Sequence, residues 1–355
     1  MIDTSAKLQA FLPALERASW VGIDTEADSL HSYPEKLCLI QLSLPPGEVL
    51  IDPLAGFDLG PLFEGLRDKE ILLHGGDYDL RLLYRGHGFV PDRVFDTLNA
   101  ARLIGRHEFG LHHLVKEFLG IQLSKSSQKA DWSIRPLTPV MIEYALCDAR
   151  YLKPLVDCLR HRLESLGRLE WHGESCRQLV SDSARPAPEP ERPAWYIKGA
   201  ARLHGRSLAV LRELWQWRES EAVRMNRPPF FVLDHDRLLR LAEDAAAGNG
   251  FDDLIPRRYS QSRRRGVFQA VERGLRVPRA EWPVITQARG TRMTEAQKRR
   301  FEQLRERRDE AARRLRLDPS IVASKSDLLA LSVRSSGGVD GIVLPWQARL
   351  LLDPP

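Results

Sequence analysis

The chain has 355 residues, 43% of them hydrophobic and 28% charged, which is the composition of a globular protein with two or three domains. It has no apolar stretch of about 18 residues, no basic and then apolar amino terminus, and no Cys-x-x-Cys pair. We therefore expect a cytoplasmic protein without a membrane span, a signal peptide or a zinc knuckle.

The two halves of the chain differ in charge. Residues 1–190 hold 21 Lys and Arg against 27 Asp and Glu, a net charge of −6, whereas the remaining residues hold 32 against 21, a net charge of +11. This split is typical of a metal-using domain joined to a module for a polyanion, although charged helix residues are often only solvated.

The first half of the chain has the pattern of a mixed α/β sheet flanked by helices. Three short apolar runs with short connections come first and predict antiparallel neighbours, and strands then alternate with helices. The predicted strands are Trp20–Ala27, Lys36–Ser43, Glu48–Asp52, Lys69–His74 and Val94–Phe95. The predicted helices are Asp77–His87, one through Ala100 and Leu103 after the capping pair Asp96 and Thr97, Leu111–Leu119, and one long helix from Pro139 to about Gly167.

The second half is predicted to be all-helical and contains an internal repeat. The Pro-rich segment 181–193 predicts an interdomain linker, and a weaker linker is expected near Pro278 to Pro283. The predicted domains are therefore 1–180, 194–280 and 284–355. Each of the last two reads as a helix, a proline-marked break and a second helix, so two small bundles are expected. Nine identities recur at an offset of 90 residues, in which Leu214, Arg218, Ala222, Arg224, Pro229, Val232, Leu238, Leu239 and Leu241 reappear as Leu304, Arg308, Ala312, Arg314, Pro319, Val322, Leu328, Leu329 and Leu331.

Two carboxylates interrupt the first apolar strand. Because side chains alternate along a strand, Asp24 and Glu26 point to one face and Ile23 and Thr25 to the other. Two neighbouring anions disfavour each other's ionisation, so their face is expected to hold a cation or to be solvated, as on an edge strand.

Three further polar side chains come later in the chain. Asp79 follows an apolar strand and two glycines, a position at which open α/β sheets present polar groups, although either Asp79 or Asp77 could simply cap a helix. Tyr144 and Asp148 are four residues apart and share one helical face, which is also common at the edge of a core. Together the four carboxylates could hold two hard divalent cations, Mg²⁺ or Mn²⁺, and so support phosphodiester hydrolysis.

These residues stand in motifs that resemble the DEDD superfamily of exonucleases, in its tyrosine-containing branch. The motifs are IDTEAD, HGGDYDL and YALCDARYL, and the segments DTLNAARLIG and ADWSIRPLT resemble ribonuclease D in particular. The repeated region resembles two HRDC domains. The resemblance implies a ribonuclease H-like fold in front, metal ligation by Asp24, Glu26 and Asp148, a second site completed by Asp79, and a water-orienting role for Tyr144.

The sequence departs from the family pattern in two places. Ala27 stands where many ribonuclease D sequences have an aromatic residue. The second repeat shows Asp318-Pro319-Ser320-Ile321 in place of the aromatic segment Pro228-Pro229-Phe230-Phe231 of the first.

Two segments are candidates for nucleic-acid contact. Asp131, Trp132 and Arg135 lie in a polar loop and are expected to contact the substrate, with the alternative that a buried Trp only anchors the loop. In the basic segment PRRYSQSRRRG, arginines could neutralise phosphates and the aromatic residue could stack on a base, unless the segment is only a solvated helix start. Its candidate residues are Arg257, Arg258, Tyr259, Arg263, Arg264 and Arg265.

The combined prediction is a monomeric, metal-dependent 3′–5′ exoribonuclease that acts on single-stranded RNA 3′ ends, including those of tRNA precursors. A single-strand DNA exonuclease is the alternative with the same chemistry. A nucleic-acid-binding scaffold that has lost its activity is the alternative from another class.

Overall fold

The structure, a computed structural model, describes residues 1–124, 127–185, 192–285, 293–334 and 341–352. Contacts among these residues define two units. The first takes residues 1–27, 37–124, 127–185, 293–334 and 341–352, and the second takes 28–36 and 192–285. Among the described residues, none of the helices is both long and apolar enough to cross a membrane.

The first unit is built on a mixed five-stranded sheet in the order β3-β2-β1-β4-β5. Strand β1 is antiparallel to β2, as β2 is to β3, whereas β4 pairs parallel to β1 and β5 parallel to β4. The predicted mixed sheet is confirmed, and β1 lies at its centre, with an antiparallel neighbour on one side and a parallel one on the other. The strands are β1 Trp20–Ala27, β2 Leu37–Leu44, β3 Gly47–Ile51, β4 Glu70–Leu73 and β5 Arg93–Asp96.

Helices cover both faces of this sheet. Alternation along β4 sends Ile71 and Leu73 into one apolar cluster, with helices α1, α2 and α3, and Leu72 into another, with α4, α5 and α7. The helices of this part are α1 Ser5–Arg17, α2 Gly60–Leu66, α3 Asp77–His87, α4 Thr97–Leu103, α5 Leu111–Leu119, α6 Pro139–Arg150, α7 Leu152–Ser165 and α8 Leu169–Ser183.

The prediction of one long helix from Pro139 to Gly167 is wrong, because the chain breaks at Tyr151 between α6 and α7. Pro154 explains the break. Proline has no N–H to donate to the carbonyl of Arg150, and its ring would clash there, so it is tolerated only in the first turn of a new helix.

Helix α8 was not predicted as a helix. It ends at Ser183, so the first three residues of the predicted linker 181–193 are helical. Residues 186–191 of that linker lie outside the described residues.

The second unit is a helical bundle. Its helices are α9 Arg206–Met225, α10 Pro229–Val232, α11 His235–Ala247 and α12 Gln261–Arg276. Leu214, Leu238 and Leu241 are fully buried in its apolar core. The expected weak linker near Pro278 to Pro283 contains a short 3-10 turn, Arg279–Glu281.

The 90-residue repeat is confirmed as a structural repeat. The second copy, in the first unit, consists of α13 Glu295–Leu315, α14 Pro319–Val322 and α15 Lys325–Val333, followed by α16 Pro345–Leu352. Both long helices end in a left-handed residue, at Asn226 with φ 47° and at Arg316 with φ 54°. An ion pair between adjacent residues also recurs, because Arg218 pairs with Glu219 as Arg308 pairs with Asp309.

Candidate active site

Strand β1 presents the first two carboxylates from the centre of the sheet. It pairs with β2 on one side and β4 on the other, so the alternative of a solvated edge strand is wrong. Helix α6 packs close to this strand, because residue 22 is a glycine. A Cβ on Gly22 would lie only 3.3 Å from the carbonyl oxygen of Ala149, the neighbour of Asp148.

Asp79 enters the site from the first turn of α3. The loop before it turns through Gly75 at φ +66°, and the Gly76 N–H donates to the buried carboxylate of Asp96 at 2.9 Å. Asp79 is buried and accepts a hydrogen bond from the Thr25 hydroxyl at 2.5 Å. The cap of α3 is Gly76, so Asp79 is not its capping residue.

Asp77, the other carboxylate in the first turn of α3, lies outside the pocket. Its exposed carboxylate accepts from Arg81 Nε at 3.0 Å, which is a surface ion pair between residues four apart on α3.

Tyr144 and Asp148 share one face of α6, as their spacing predicts. The half-buried Tyr144 hydroxyl donates a hydrogen bond to the Asp148 carboxylate. Helix α6 begins after Thr138, whose side chain accepts from the Met141 N–H at 3.3 Å, with Pro139 in its first turn.

Three of the predicted carboxylates converge. Asp24, Glu26 and Asp148 each place a carboxylate oxygen within 4.8 Å of the others. Asp79 lies outside this triad, although it lines the same pocket. Of the four predicted metal ligands, the fold thus brings three into one group and holds the fourth beside it through Thr25.

The electrostatics of the triad are unfavourable without a cation. Burial, followed by the charges of Asp79, Asp148 and Glu26, raises the pKa of Asp24 well above its usual range. Burial and the charges of Asp148 and Asp79 raise the pKa of Glu26 to about 8. Burial also raises the pKa of Asp148 to about 6. The raised pKa values mean that the three carboxyls resist being ionised together when no cation is bound. Their oxygen atoms are the ligands that a hard divalent cation prefers, and its charge would stabilise the ionised forms.

The carboxylates line a pocket of about 440 Å³ that also contains residues outside the predicted set. His74, His112, Tyr78, Ser124 and Gln128 also belong to its wall, and the sequence predicted none of them as a site residue. One signal could have identified His74, because it directly follows β4 at the carboxyl end of the strand.

The loop that contains Asp131, Trp132 and Arg135, predicted to contact the substrate, makes its contacts within the protein. Trp132 is 1% exposed and cannot stack on a base. Arg135 binds both carboxylate oxygens of Asp52, at 2.6 and 2.7 Å, and donates to the carbonyl of Cys38 at 2.7 Å. Asp131 accepts from the backbone and hydroxyl of Ser133. The structure therefore supports the alternative interpretation, a loop anchored by a buried Trp.

The basic segment at the start of α12 divides into buried and exposed residues. Tyr259 is 6% exposed and donates its hydroxyl proton to the carbonyl of Val232, so it belongs to the core and is not a stacking platform. Arg263 pairs with Glu221 at 2.7 Å, and Arg264 pairs more weakly with Asp252. The exposed arginines are Arg257, Arg258 and Arg265.

Comparison with known proteins agrees with this geometry. Residues 1–164 match the 3′–5′ exonuclease family, and residues 207–247 match the HRDC domain. Ribonuclease D of Jannaschia sp. is 33% identical over 300 residues, which cover 81% of this chain and 77% of that protein. The chain belongs to the ribonuclease D family.

Membership of the ribonuclease D family assigns 3′–5′ exoribonuclease activity to the chain. Ribonuclease D of Gluconacetobacter diazotrophicus is 36% identical over 251 residues, a match that covers 70% of this chain but only 63% of that relative. The crystal structure of Escherichia coli RNase D, described as an exoribonuclease involved in structured RNA processing, is similar with a TM-score of 0.74 and 26% identity. That similarity covers 99% of this chain and 96% of the other.

Proposed function

We propose that the chain releases nucleotides one at a time from RNA 3′ ends by hydrolysis that depends on two divalent cations, Mg²⁺ or Mn²⁺. The observation that carries this proposal is the convergence of Asp24, Glu26 and Asp148 in the pocket. Two such cations, when bound, stabilise the attacking and leaving oxygens of an in-line displacement at phosphorus.

The residues of the pocket have distinct roles in this proposal. Asp24, Glu26 and Asp148 hold the cations, and Asp79 completes the second site directly or through water. The Thr25 hydroxyl fixes the orientation of the Asp79 carboxylate.

Tyr144 orients the attacking water. Burial and the neighbouring carboxylates raise the pKa of its phenol, so it stays protonated and acts as a hydrogen-bond donor rather than a base. Its hydrogen bond to Asp148 holds the ring in place within the pocket.

We further propose that the helical bundles capture the substrate, with tRNA precursors among the RNAs that are processed. The matched HRDC region lies in the unit with the exposed arginines Arg257, Arg258 and Arg265. The same succession of long helix, single turn and helix at an offset of 90 residues supports a second HRDC-like copy. The domain boundaries, the monomeric state and the cytoplasmic location stay predictions.

The function is tested with 5′-labelled single-stranded RNA and DNA of one sequence, incubated with Mg²⁺, Mn²⁺ or excess chelator. We expect a ladder of RNA products shortened from the 3′ end, and no products with chelator. Full activity in chelator contradicts the metal dependence. Equal degradation of DNA favours a single-strand DNA exonuclease, and binding without cleavage favours a scaffold.

Two Asp→Asn variants test the assignment of the ligands. We expect Asp24→Asn to abolish cleavage and weaken Mn²⁺ binding without unfolding the protein, because ligation requires the carboxylate charge. Asp77→Asn is the matched control, since Asp77 is two residues from Asp79 but pairs only with Arg81 among the contacts seen for its side chain. Equal cleavage by both variants would contradict the ligand set.

A further inference from the structure

His74 lines the active-site pocket but has no role in the mechanism above. It follows β4 directly, at the carboxyl end of that strand, and its side chain is half-buried. Its ring Nδ1 lies 2.9 Å from the Thr97 hydroxyl oxygen.

The hydrogen bonds around Thr97 determine the tautomer of His74. The Thr97 hydroxyl donates its single proton to the carbonyl of Leu73 at 3.0 Å. Thr97 Oγ1 can therefore only accept from the imidazole, so the ring carries its proton on Nδ1. The other nitrogen, Nε2, is left as a lone-pair acceptor.

The same imidazole is neutral at physiological pH. Burial, followed by the charge of His112, lowers the pKa of His74 to about 4. Thr97 is fully buried and holds the Nδ1 edge of the ring. His74 lines the pocket, and because Thr97 occupies its Nδ1 edge, Nε2 is the ring nitrogen left for a ligand; the described part of the chain supplies no hydrogen bond to it.

We propose that His74 is a specificity-determining residue, whose Nε2 accepts a hydrogen bond from the 2′-hydroxyl of the terminal nucleotide and so favours RNA over DNA. This inference rests on the proposed exoribonuclease function. A neutral acceptor requires a ligand that donates a proton, which excludes the phosphate oxygens. The hydroxyls of the terminal ribose are donors, and only the 2′-hydroxyl distinguishes RNA from DNA.

The experiment uses the full chain and three RNA oligonucleotides that differ only in the last nucleotide, which is a ribonucleotide, a 2′-deoxynucleotide or a 3′-deoxynucleotide. For the parent protein, we expect kcat/KM for release of the last nucleotide to fall roughly five- to tenfold when the 2′-hydroxyl is removed, the loss expected for one neutral hydrogen bond. Parent protein that degrades none of these RNAs contradicts the proposed function itself. Parent protein that degrades them without such a preference contradicts only the role of His74.

Two substitutions separate the two ring nitrogens. In His74→Asn the amide N–H replaces Nδ1–H and keeps the contact with Thr97, but nothing replaces Nε2. We expect this variant to degrade the 2′-deoxy-terminated RNA as the parent does and to lose its preference for the ribonucleotide. In His74→Gln the amide oxygen reaches the position of Nε2, so the preference should return in part.

Thr97→Val tests the same hydrogen-bond chain without altering the imidazole. Without an acceptor at residue 97, the proton is no longer held on Nδ1, and we expect the preference for the 2′-hydroxyl to fall. Equal loss on all three substrates in His74→Asn would make His74 a structural residue. A loss on the two substrates that have a 3′-hydroxyl, with an unchanged rate on the 3′-deoxy substrate, would assign Nε2 to the 3′-hydroxyl, and either result overturns the proposal.

Discussion

Tyr144 is the pocket residue whose substitution separates chemistry from packing. Its hydroxyl donates to Asp148, while its ring lies 6.0 Å from that of the buried Trp132. Tyr144→Phe keeps the ring and removes only the hydroxyl. We expect turnover to fall by roughly 10²-fold, the contribution of a positioned proton-handling group, with RNA affinity almost unchanged.

The measurement is single-turnover cleavage beside thermal unfolding. Tyr84→Phe is the matched control, because Tyr84 is a half-buried tyrosine of α3 that does not line the pocket. If Tyr144→Phe loses thermal stability while its turnover per folded molecule stays at the parent value, Tyr144 is a core residue.

The carboxylate triad predicts a pH-dependent response to metal. The pKa of Glu26 is about 8 in the folded protein and near its ordinary 4.5 when unfolded. Between these values the folded state binds more protons than the unfolded state, so stability without metal falls as the pH rises from about 4.5 to about 8. Asp148, with a pKa of about 6, adds to this fall at the lower end of the range.

A bound cation favours the ionised carboxylates and removes this loss of stability. We therefore expect Mn²⁺ to raise the melting temperature more at about pH 8 than at about pH 5. The comparison is made by thermal unfolding with and without saturating Mn²⁺. The same increase at both pH values would show that the cation does not bind the triad.

The amino-terminal start of α12 is the element expected to bind RNA. Tyr259 is buried and Arg263 pairs with Glu221, so neither is available to RNA. The exposed residues that can contact phosphates are Arg257, Arg258 and Arg265. We expect their combined replacement by Ala to weaken binding of long RNA. The slope of log affinity against log salt should become shallower by up to about 2, because each lost phosphate contact releases roughly 0.7 fewer counterions from a single strand.

Binding is measured in the Asp24→Asn background, so that RNA is not degraded. The control replaces three exposed arginines of the first unit, Arg17, Arg67 and Arg162, by Ala, which makes the same change in net charge. Equal salt slopes for the two triple variants would show that the arginines of α12 affect binding only through the net charge of the protein and do not contact the RNA.

At the scale of the whole molecule, the second helical copy, α13 to α16, belongs to the first unit together with the five-stranded sheet. Trp346 of α16 is 2% exposed and stacks on Trp171 of α8, with ring centres 4.8 Å apart. Its backbone N–H donates to buried Glu174 at 3.0 Å. Arg168 also donates to the carbonyls of Leu103 and Leu315, which joins both parts of the unit.

This packing makes truncation near Arg185 a destabilising change, because it exposes Trp171 and leaves Glu174 and Arg168 without these partners. We expect Trp346→Ala to lower the free energy of unfolding by about 3 to 5 kcal/mol, the usual cost of removing a buried Trp. Urea unfolding measures it, with Trp282→Ala of the second unit as a comparison in a half-buried site. An unchanged unfolding free energy for Trp346→Ala would mean that α16 does not stabilise the unit.

The sequence by itself predicted the five strands to within a residue or two and helices α3 and α5 at their observed bounds. It also predicted that Tyr144 and Asp148 share one helical face. These features depend on local periodicity and on chain neighbours, which a sequence displays directly. The 90-residue repeat was likewise visible as identities, because its two copies keep the same turns.

Only the tertiary structure decided which polar residues are available for chemistry. Arg135 resembled a substrate contact until Asp52, 83 residues away, was found to bind it, and Tyr259 resembled a stacking platform until Val232 was found to accept its proton. His74 was not among the predicted site residues, yet it lines the pocket. Burial and hydrogen-bond partners are set by elements distant in the chain. Residue type and spacing therefore predicted the carboxylates that meet in the pocket, whereas long-range packing decided which other polar residues surround them.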